Sequence, residues 1–588
     1  MDQMSRDPEK GEPDPRSDYL SAHGTESWPF HSRSASQRTA SSSGSSSAAS
    51  TACDGMSRTQ THRELERHLT ALSRIATQRT QQSATVGAAK RAPKKPLPKF
   101  GAGKPYPPPL PEREEYVVEF DGPDDPLHPQ NWTMKRKIFT VIILAWTSLT
   151  SSFASSVFSS ATSDLVEIYG VSSEVITLGL SFYVLGFATG PIVWAPLSEL
   201  KGRRFPILLA MFGFTIFQFA VATAKDLQTI LISRFFGGFC GACPLAVVAA
   251  VFSDMFDNRL RGVAITPFSM TVFMGPLLAP FIGGFIVESY LGWRWTSYLP
   301  GIMGATALIL DLLFLRETYA PVVLIEKAAE LRRRTKNWGI HAKQEEIEVD
   351  FAELVQKNFS RPLKILFTEP IVLLLSLYTS FIYGLLYLFL TAYPMVFQRV
   401  HGFNKGVGGL PYFGMVIGIG IGGLSIFLTQ PWYARKLEAN NGINIPEWRL
   451  PHVISGGVAF AGGLFWFAWS GYKESIHWIV PTLSGLLTGY GLLVIFLQSF
   501  NYIIDVYILF AASAIAANSI LRSLAAAAFP LFSQVMFDAL GVNWAGTLLA
   551  CVATLLCPIP VFFYIYGPKI RARSKFTAEY TVENALDD

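Results

Sequence analysis

Charge is scarce in this chain of 588 residues: only 16% are Asp, Glu, Lys or Arg, against about 25% in an ordinary soluble protein. The two signs nearly cancel, leaving a formal net charge of +5. Such balance gives no electrostatic footprint for nucleic acid. Five cysteines do not make a disulfide framework, and two of them, Cys551 and Cys557, lie in an apolar run. No GxxxxGK(S/T) loop is present to cradle a nucleotide, and Gly402-Phe-Asn-Lys405 is too short to act as one, so ATP is not expected as a direct energy source. No metal-ligand cluster, cofactor motif, paired acid or nucleophile–base constellation stands out, which argues against an enzyme and calls for no metal or cofactor. An apolar signal sequence is missing at the start, so targeting is expected to rely on the first membrane span.

What is abundant is apolar: half of the residues are hydrophobic, with 44 Phe and 13 Trp. Residues 1–131 form a separate compositional region. Ser32 to Ser50 is mostly Ser, Ala and Arg, and 92–111 is rich in Pro with interspersed Lys. Such a segment buries too little apolar surface to offset its ordering entropy and reads as a disordered cytosolic tail. After Asn131 come runs of helix length, almost free of charge, at about 138–163, 174–196, 205–224, 227–250, 262–287 and 296–315. Six more follow at about 371–394, 408–430, 452–470, 477–500, 506–530 and 544–566. Each has the roughly 20 residues that a hydrocarbon core about 30 Å thick requires. The organisation is therefore an all-α transmembrane protein: a tail (1–131), a six-helix bundle (132–315), a central loop (316–369), a second six-helix bundle (370–567) and a tail (568–588).

Loop charge tests the count. Lys135, Arg136 and Lys137 precede span 1; Lys201, Arg203 and Arg204 separate spans 2 and 3; Arg259 and Arg261 separate spans 4 and 5. Arg332 to Arg334 sit in the central loop, Arg435 and Lys436 follow span 8, and Lys569, Arg571, Arg573 and Lys575 follow span 12. With twelve spans these all fall on one side, which puts both termini in the cytosol. The loop with Arg399, His401 and Lys405 is the exception. Two six-span halves are common in secondary transporters that work by alternating access.

Four motifs now bear on identity. Ala195-Pro-Leu-Ser-Glu-Leu-Lys-Gly-Arg-Arg204 lies between spans 2 and 3, Arg234-Phe-Phe-Gly-Gly-Phe-Cys-Gly241 in span 4, FMGPLLAPFIGG from Phe273 in span 5, and RETYAP from Arg316 opens the central loop. Over about 132–570 the chain resembles the major facilitator superfamily, and within it the fungal twelve-span drug:proton antiporters. The loop motif departs from the family form at Ala195, Glu199 and Leu200. The resemblance implies the major facilitator fold and a proton-coupled exporter of hydrophobic or cationic small molecules (drugs, polyamines or secondary metabolites). It also implies a lipid bilayer, protons and a small-molecule substrate as partners, a functional monomer, and a plasma-membrane location, with the vacuolar membrane as alternative. Two other functions remain open at this point: a facilitator or importer without antiport, and a nontransporting membrane receptor.

In span 5, Pro276 and Pro280 lie one turn apart and free backbone carbonyls, which neighbouring helices must cover. Gly275, Ala279 and Gly283, with Gly284, make a small-residue face that admits another helix closely. A bent, tightly packed hinge is expected there, and the resemblance links this helix to antiport. Glu199, Arg203 and Arg204 bracket the Gly202 turn, where acid and base can meet; the resemblance makes this cluster a latch between the halves. Arg234, about two turns into span 4, needs a partner, a wet cavity or the interface, and the resemblance gives it a part in proton coupling. A coupled carrier needs an acid that takes up and releases the proton, and the candidates are Glu174, Glu288, Asp311 and Asp505; Asp505 stands out because its surroundings, SFNYIIDVYILF, are otherwise uncharged, whereas Asp311 near Arg316 also reads as a helix-end charge. Arg522, with Asn518 a turn earlier, lies in the second-last span and also needs a partner. Trp146, Tyr183, Gln218, Tyr383 and Tyr387 are candidates for lining a substrate cavity, where aromatic faces attract cations.

Overall fold

A segment surrounded by hydrocarbon has only its own backbone for hydrogen bonding, so apolar runs of this length close into helices. The computed structural model describes residues 114–122, 124–256, 258–346, 351–440, 445–507, 510–574 and 576. The expectations for residues 1–113 and 577–588 lie outside these. Spans 1 to 6 are the helices Met134–Ser156, Ser173–Leu200, Arg204–Thr223, Leu227–Met255, Asn258–Glu288 and Trp295–Phe314. Spans 7 to 10 are Pro370–Pro394, Tyr412–Ala439, Leu450–Ser470 and Ile479–Val506.

The end of the second half differs from expectation. Eleven helices among the described residues are long and apolar enough to cross a membrane, and the last runs through residues 513–571. At 1.5 Å per residue its 59 residues measure roughly 90 Å, far more than one hydrocarbon core of about 30 Å. At Gly541 the backbone leaves helical geometry, with φ 76° and ψ 163°. Spans 11 and 12 thus meet at a single left-handed residue, a conformation that glycine adopts without steric cost. No loop of a dozen residues separates them, and twelve crossings remain.

Span 1 also ends early. Its α-helix stops at Ser156, tightens into a 3-10 turn over Val157–Ala161, and continues as Thr162–Tyr169. The reason is the bonding of its terminal carbonyls, described below.

The central loop is partly helical, with Ala320–Thr335 and Phe351–Thr368. A correction applies to the tail expected to be disordered through residue 131: residues 114–122 and 124–131 fold against this segment. The Val118 amide donates to the His341 carbonyl at 2.8 Å and the His341 amide to Tyr116 at 2.9 Å. Val118 packs on Ala328 and Ala342. Lys327 Nζ reaches Asp121 at 3.0 Å and Asp125 at 3.7 Å. Burial acts to raise the Asp125 carboxyl, but amide donation from Asp121 and Leu127, together with Lys327, prevails and holds it below the usual carboxylate range. The composition of the whole tail hid this short strap, whose Val118 and Trp132 are both buried.

Within the first half, spans 2 and 4 approach to backbone contact. A Cβ on Gly238 would stand 2.0 Å from the Tyr183 carbonyl oxygen. Spans 8 and 10 do the same in the second half, where a Cβ on Gly489 would stand 2.2 Å from the Met415 oxygen. The largest apolar cluster belongs mainly to spans 7 to 12 and takes in Leu180, Val184, Phe273 and Leu277 from the first half.

Candidate functional site

Arg234 is 1% exposed and faces the broken end of span 1. Its Nη1 donates to the Ala154 carbonyl at 2.7 Å, Nη2 to Ser155 at 2.9 Å, and Nε to Gly179 at 3.1 Å. The guanidinium lies 4.3 Å from the centre of the Tyr183 ring and 4.8 Å from that of Phe158. Carbonyls left over at a helix C-terminus carry partial negative charge, and ring faces add more. These stand in for a carboxylate: no acid pairs with Arg234 among the described residues. Arg234 therefore pins spans 1, 2 and 4, and its demand for carbonyls fits the early end of the span 1 α-helix.

A second arginine belongs to the other half and connects to Arg234 through the tyrosines of span 7. Arg522 lies 4.7 Å from the Tyr383 ring centre and 4.9 Å from Phe496, and its Nε is buried without a hydrogen-bond partner. Tyr383 packs edge-on against Tyr387 at 5.4 Å. The Tyr387 hydroxyl meets Ser155 Oγ at 2.9 Å, bridging the halves. Tyr183 donates to the Ser151 carbonyl at 2.9 Å. Arg234, Tyr183, Tyr383, Tyr387 and Arg522, scattered over 340 residues of sequence, thus form one aromatic centre with two cations. Gln218 borders it, buried beside Gly237 with Oε1 unpartnered. Asn518 turns to span 7 and donates to Thr379 Oγ1 at 3.0 Å. Trp146 lies apart, half-buried against span 6 with its Nε1 donating to Thr306 Oγ1 at 3.3 Å.

The proline helix is met by serines that the sequence reading passed over. Pro280 has no amide to give the Pro276 carbonyl four residues earlier, and Ser156 Oγ supplies that bond at 3.1 Å. Ser152 Oγ reaches the Thr271 carbonyl at 3.2 Å and Ser160 Oγ the Pro280 carbonyl at 3.4 Å. The four-residue spacing of Ser152, Ser156 and Ser160 matches that of the prolines, and SSFASSVFSS was the available signal. Gly275 completes the joint: a Cβ there would fall 2.7 Å from the Phe153 amide nitrogen. At the far end of span 5, Gly284 packs against the Lys405 carbonyl, 2.3 Å from where a Cβ would sit. Gly283 faces Ser160 and Val157.

Two sets of charges tie the helix ends on the face that carries the central segment, here the basic face. In the first half Arg203 Nε pairs with Asp254 Oδ2 at 3.0 Å while its ring neighbour is Tyr319 at 4.6 Å. Glu317 accepts from the amides of Arg203 at 2.8 Å and Arg204 at 3.1 Å. Gly202 is obligatory, since φ is 84° and a Cβ would strike Glu317 at 2.3 Å. Arg204 Nη2 caps the Leu312 carbonyl at 2.9 Å. In the second half Arg449 pairs with Asp505 and lies 4.6 Å from the Tyr433 ring centre. Arg571 pairs with Glu447 at 3.0 Å.

Two expectations change here. The Glu199–Arg203–Arg204 cluster ties spans 2, 3, 4 and 6 inside one half; Asp254 is the acid that Arg203 bonds, and Glu199 Oε2 has no hydrogen-bond partner. Asp505, proposed as a proton carrier for its isolation in sequence, is ion-paired with an arginine 56 residues away.

A cavity of about 460 Å³ lies between the halves toward the opposite face, with Phe158, Ser163, Leu180, Gly284, Leu390 and Gln534 among its lining. Phe158 is thus both wall of the vestibule and cover of Arg234. At its mouth Lys405 Nζ reaches across to Asp164 at 2.6 Å.

Comparison with known proteins agrees with this geometry. The family model described as Major Facilitator Superfamily matches residues 144–530. A Candida albicans protein, "Major facilitator superfamily multidrug transporter FLU1", is 50% identical over 509 residues, covering 86% of this chain and 83% of its own. The Candida glabrata "Multidrug transporter TPO1_2" is 48% identical over 480 residues, covering 82% and 83%. Among solved structures, the proton:xylose symporter XylE bound to 6-bromo-6-deoxy-D-glucose matches with TM-score 0.54 at 15% identity, over 74% of this chain and 96% of that one; at that identity the likeness speaks for the fold alone. Two halves of long apolar helices among the described residues, a proline joint in span 5, a family match over most of the chain and relatives at half identity lead to one conclusion: this chain is a multi-pass membrane transporter, not an enzyme, and belongs to the major facilitator superfamily.

Proposed function

We propose that the protein is a proton-coupled antiporter that exports hydrophobic drug-like compounds across the plasma membrane by alternating access, as a monomer with both termini in the cytosol. Two relatives near 50% identity carry multidrug transport in their names. The observation that carries the reading is the hydroxyl bridge from Tyr387 to Ser155, whose carbonyl in turn accepts from Arg234. A contact shared by the two halves beside a buried cation joins substrate access to charge movement. The aromatic rings suit planar hydrophobic ligands. With two arginines and no carboxylate pairing with either among the described residues, the centre suits neutral compounds better than polyamine cations. Arginine stays protonated throughout, so Arg234 acts by position and charge and a carboxyl group must carry the proton.

The test is flux in proteoliposomes under an imposed proton gradient, with radiolabelled azoles, cycloheximide and spermidine, with and without an uncoupler. Gradient-driven accumulation that the uncoupler and Arg234→Ala both abolish is the expected result. Equal movement without a gradient would replace antiport by facilitated diffusion. Spermidine accumulating in preference to the neutral compounds would overturn the assignment of substrate class.

A further inference from the structure

We propose that Asp311 is the proton-binding group of the transport cycle and that span 1 conveys its state to the centre; this deepens the antiport reading and rests on it. Asp311 lies in the last turn of span 6 and is 0% exposed. Oδ2 accepts a hydrogen bond from Thr147 Oγ1 at 3.0 Å, and Oδ1 is buried with no partner at all. Leaving a carboxylate oxygen in that state is costly, while a carboxylic acid needs no counter-ion there. Other acids at comparable positions are provided for. Asp254 and Asp505 are paired with arginines. Glu369 stands at the N-terminus of span 7, where the helix favours negative charge, and accepts from the Tyr507 hydroxyl. Glu199 also has a buried oxygen without a hydrogen-bond partner, but it stands beside the guanidinium of Arg203, which bonds the adjacent Ser198 Oγ at 2.8 Å, whereas Asp311 has no cation paired with it among the described residues.

The surroundings of Asp311 are nearly free of charge. Span 1 presents Thr147, and span 4 presents Cys243. Span 3 brings Arg204, whose Nη2 is engaged by the Leu312 carbonyl. Span 5 meets span 6 through the apolar Ala279 and Ile282, which pack with Leu299 and Met303 two to three turns before Asp311. On its own element, Arg316 follows beyond the helix end. No cation pairs with Asp311 among the described residues.

What connects this site to the centre is a row of hydroxyls on one face of span 1. Thr147 holds Asp311; Ser151 Oγ bonds the Thr147 carbonyl at 3.3 Å, and its own carbonyl receives Tyr183. Ser155, four residues on, meets Tyr387 and Arg234. The row Thr147, Ser151 and Ser155 therefore runs from the acid to the bridge between the halves. Loss of the proton creates a charge that span 6 and Thr147 alone cannot solvate, so span 1 must shift or water must enter. Either event disturbs the Ser155–Tyr387 bond. The proton balance is simple: Asp311 takes one proton from the side with higher activity and releases the same proton on the other, with no bond to substrate formed.

The experiment uses the full-length protein in proteoliposomes. Accumulation of a neutral azole under a proton gradient is compared with gradient-free exchange of the same compound, for wild type, Asp311→Asn and Thr147→Val. Asp311→Asn is expected to lose accumulation at least ten-fold and to keep exchange. Thr147→Val is expected to shift the pH midpoint of accumulation by about one pH unit, as removal of a hydrogen bond to a charged group implies. Accumulation surviving in Asp311→Asn overturns the proposal and leaves antiport standing. Absence of accumulation in wild type overturns antiport itself. If Asp311→Asn fails to fold, Thr147→Val decides: an unchanged midpoint refutes the assignment, and a shifted one supports it.

Discussion

Replacing Gly275 by alanine puts a methyl group where spans 1 and 5 touch. Its Cβ would stand 2.2 Å from Ser152 Oγ and 2.7 Å from the Phe153 nitrogen. The hydroxyl can rotate away, but the backbone nitrogen cannot, so the helices must part by a good fraction of an ångström. Overpacking of this kind costs about 1–3 kcal/mol. Since the obstacle is backbone, the upper end of that range applies, about 2–3 kcal/mol; alanine recovers up to about 1 kcal/mol through its higher helix propensity, leaving a net loss of about 1–2 kcal/mol. The natural control is Gly462→Ala, in an exposed position of span 9 with nothing within 4 Å of the new Cβ. Because large membrane proteins unfold irreversibly, the comparison belongs at one fixed heating rate. Gly275→Ala should lower the midpoint by about 1–2 °C, while Gly462→Ala leaves it unchanged or slightly raised. Flux should fall in Gly275→Ala as well, since Ser152 can no longer reach Thr271 in a widened joint. Equal midpoints and equal flux for the two variants would refute the close approach of spans 1 and 5.

Two further outcomes follow from the charged ties. Asp254→Ala should destabilise by about 3–5 kcal/mol because it strands the buried Arg203, Arg203→Ala by somewhat less because Asp254 is partly exposed, and the double variant should fall short of their sum by at least about 1 kcal/mol; additive losses in a double-mutant cycle would dismiss the pair. Lys327→Ala should speed hydrogen exchange over residues 117–131 at neutral pH. Because the folded Asp125 carboxyl is held below its ordinary value of 3.8, the stability it adds is present above that pH and lost as pH falls through the folded value; protection of the strap that persists unchanged at pH 2, after correction for intrinsic exchange, would contradict this.

Hydropathy made the spans legible, because an uncharged run of 20 residues has few other fates. It located spans 2 to 10 closely and failed where geometry turns on one residue. LGVNWAG around Gly541 carries no proline, so nothing along the chain marks how abruptly spans 11 and 12 meet. The site was half legible. Arg234, Arg522 and the tyrosines could be named since a charge or ring in an apolar run is conspicuous, but their grouping depends on which helices cross. The surroundings of Asp505 and Asp311 were misjudged for the same reason. Sequence distance made Asp505 look solitary and put Asp311 near Arg316, whereas in space Arg449 reaches the first and Thr147 covers the second. The serines of span 1 went unread because a hydroxyl hardly lowers hydropathy, and their use is visible only against carbonyls freed by prolines 120 residues away.

The paired ties of the basic face also speak to descent. An arginine at the start of a half's third helix, lying over a tyrosine and bonded to an aspartate at the end of the fourth, occurs at Arg203, Tyr319 and Asp254 and again at Arg449, Tyr433 and Asp505. The third-to-sixth tie also recurs, but with polarity exchanged: Glu317 follows span 6 and takes amides at the start of span 3, while Arg571 closes span 12 and seeks Glu447 ahead of span 9. No resemblance between the halves is visible along the chain. A duplicated ancestor would account for both facts: the geometry that ties the helix ends of each half recurs where the residues around it differ, and the same third-to-sixth tie is made by a carboxylate on backbone amides in one half and by an ion pair of the opposite direction in the other.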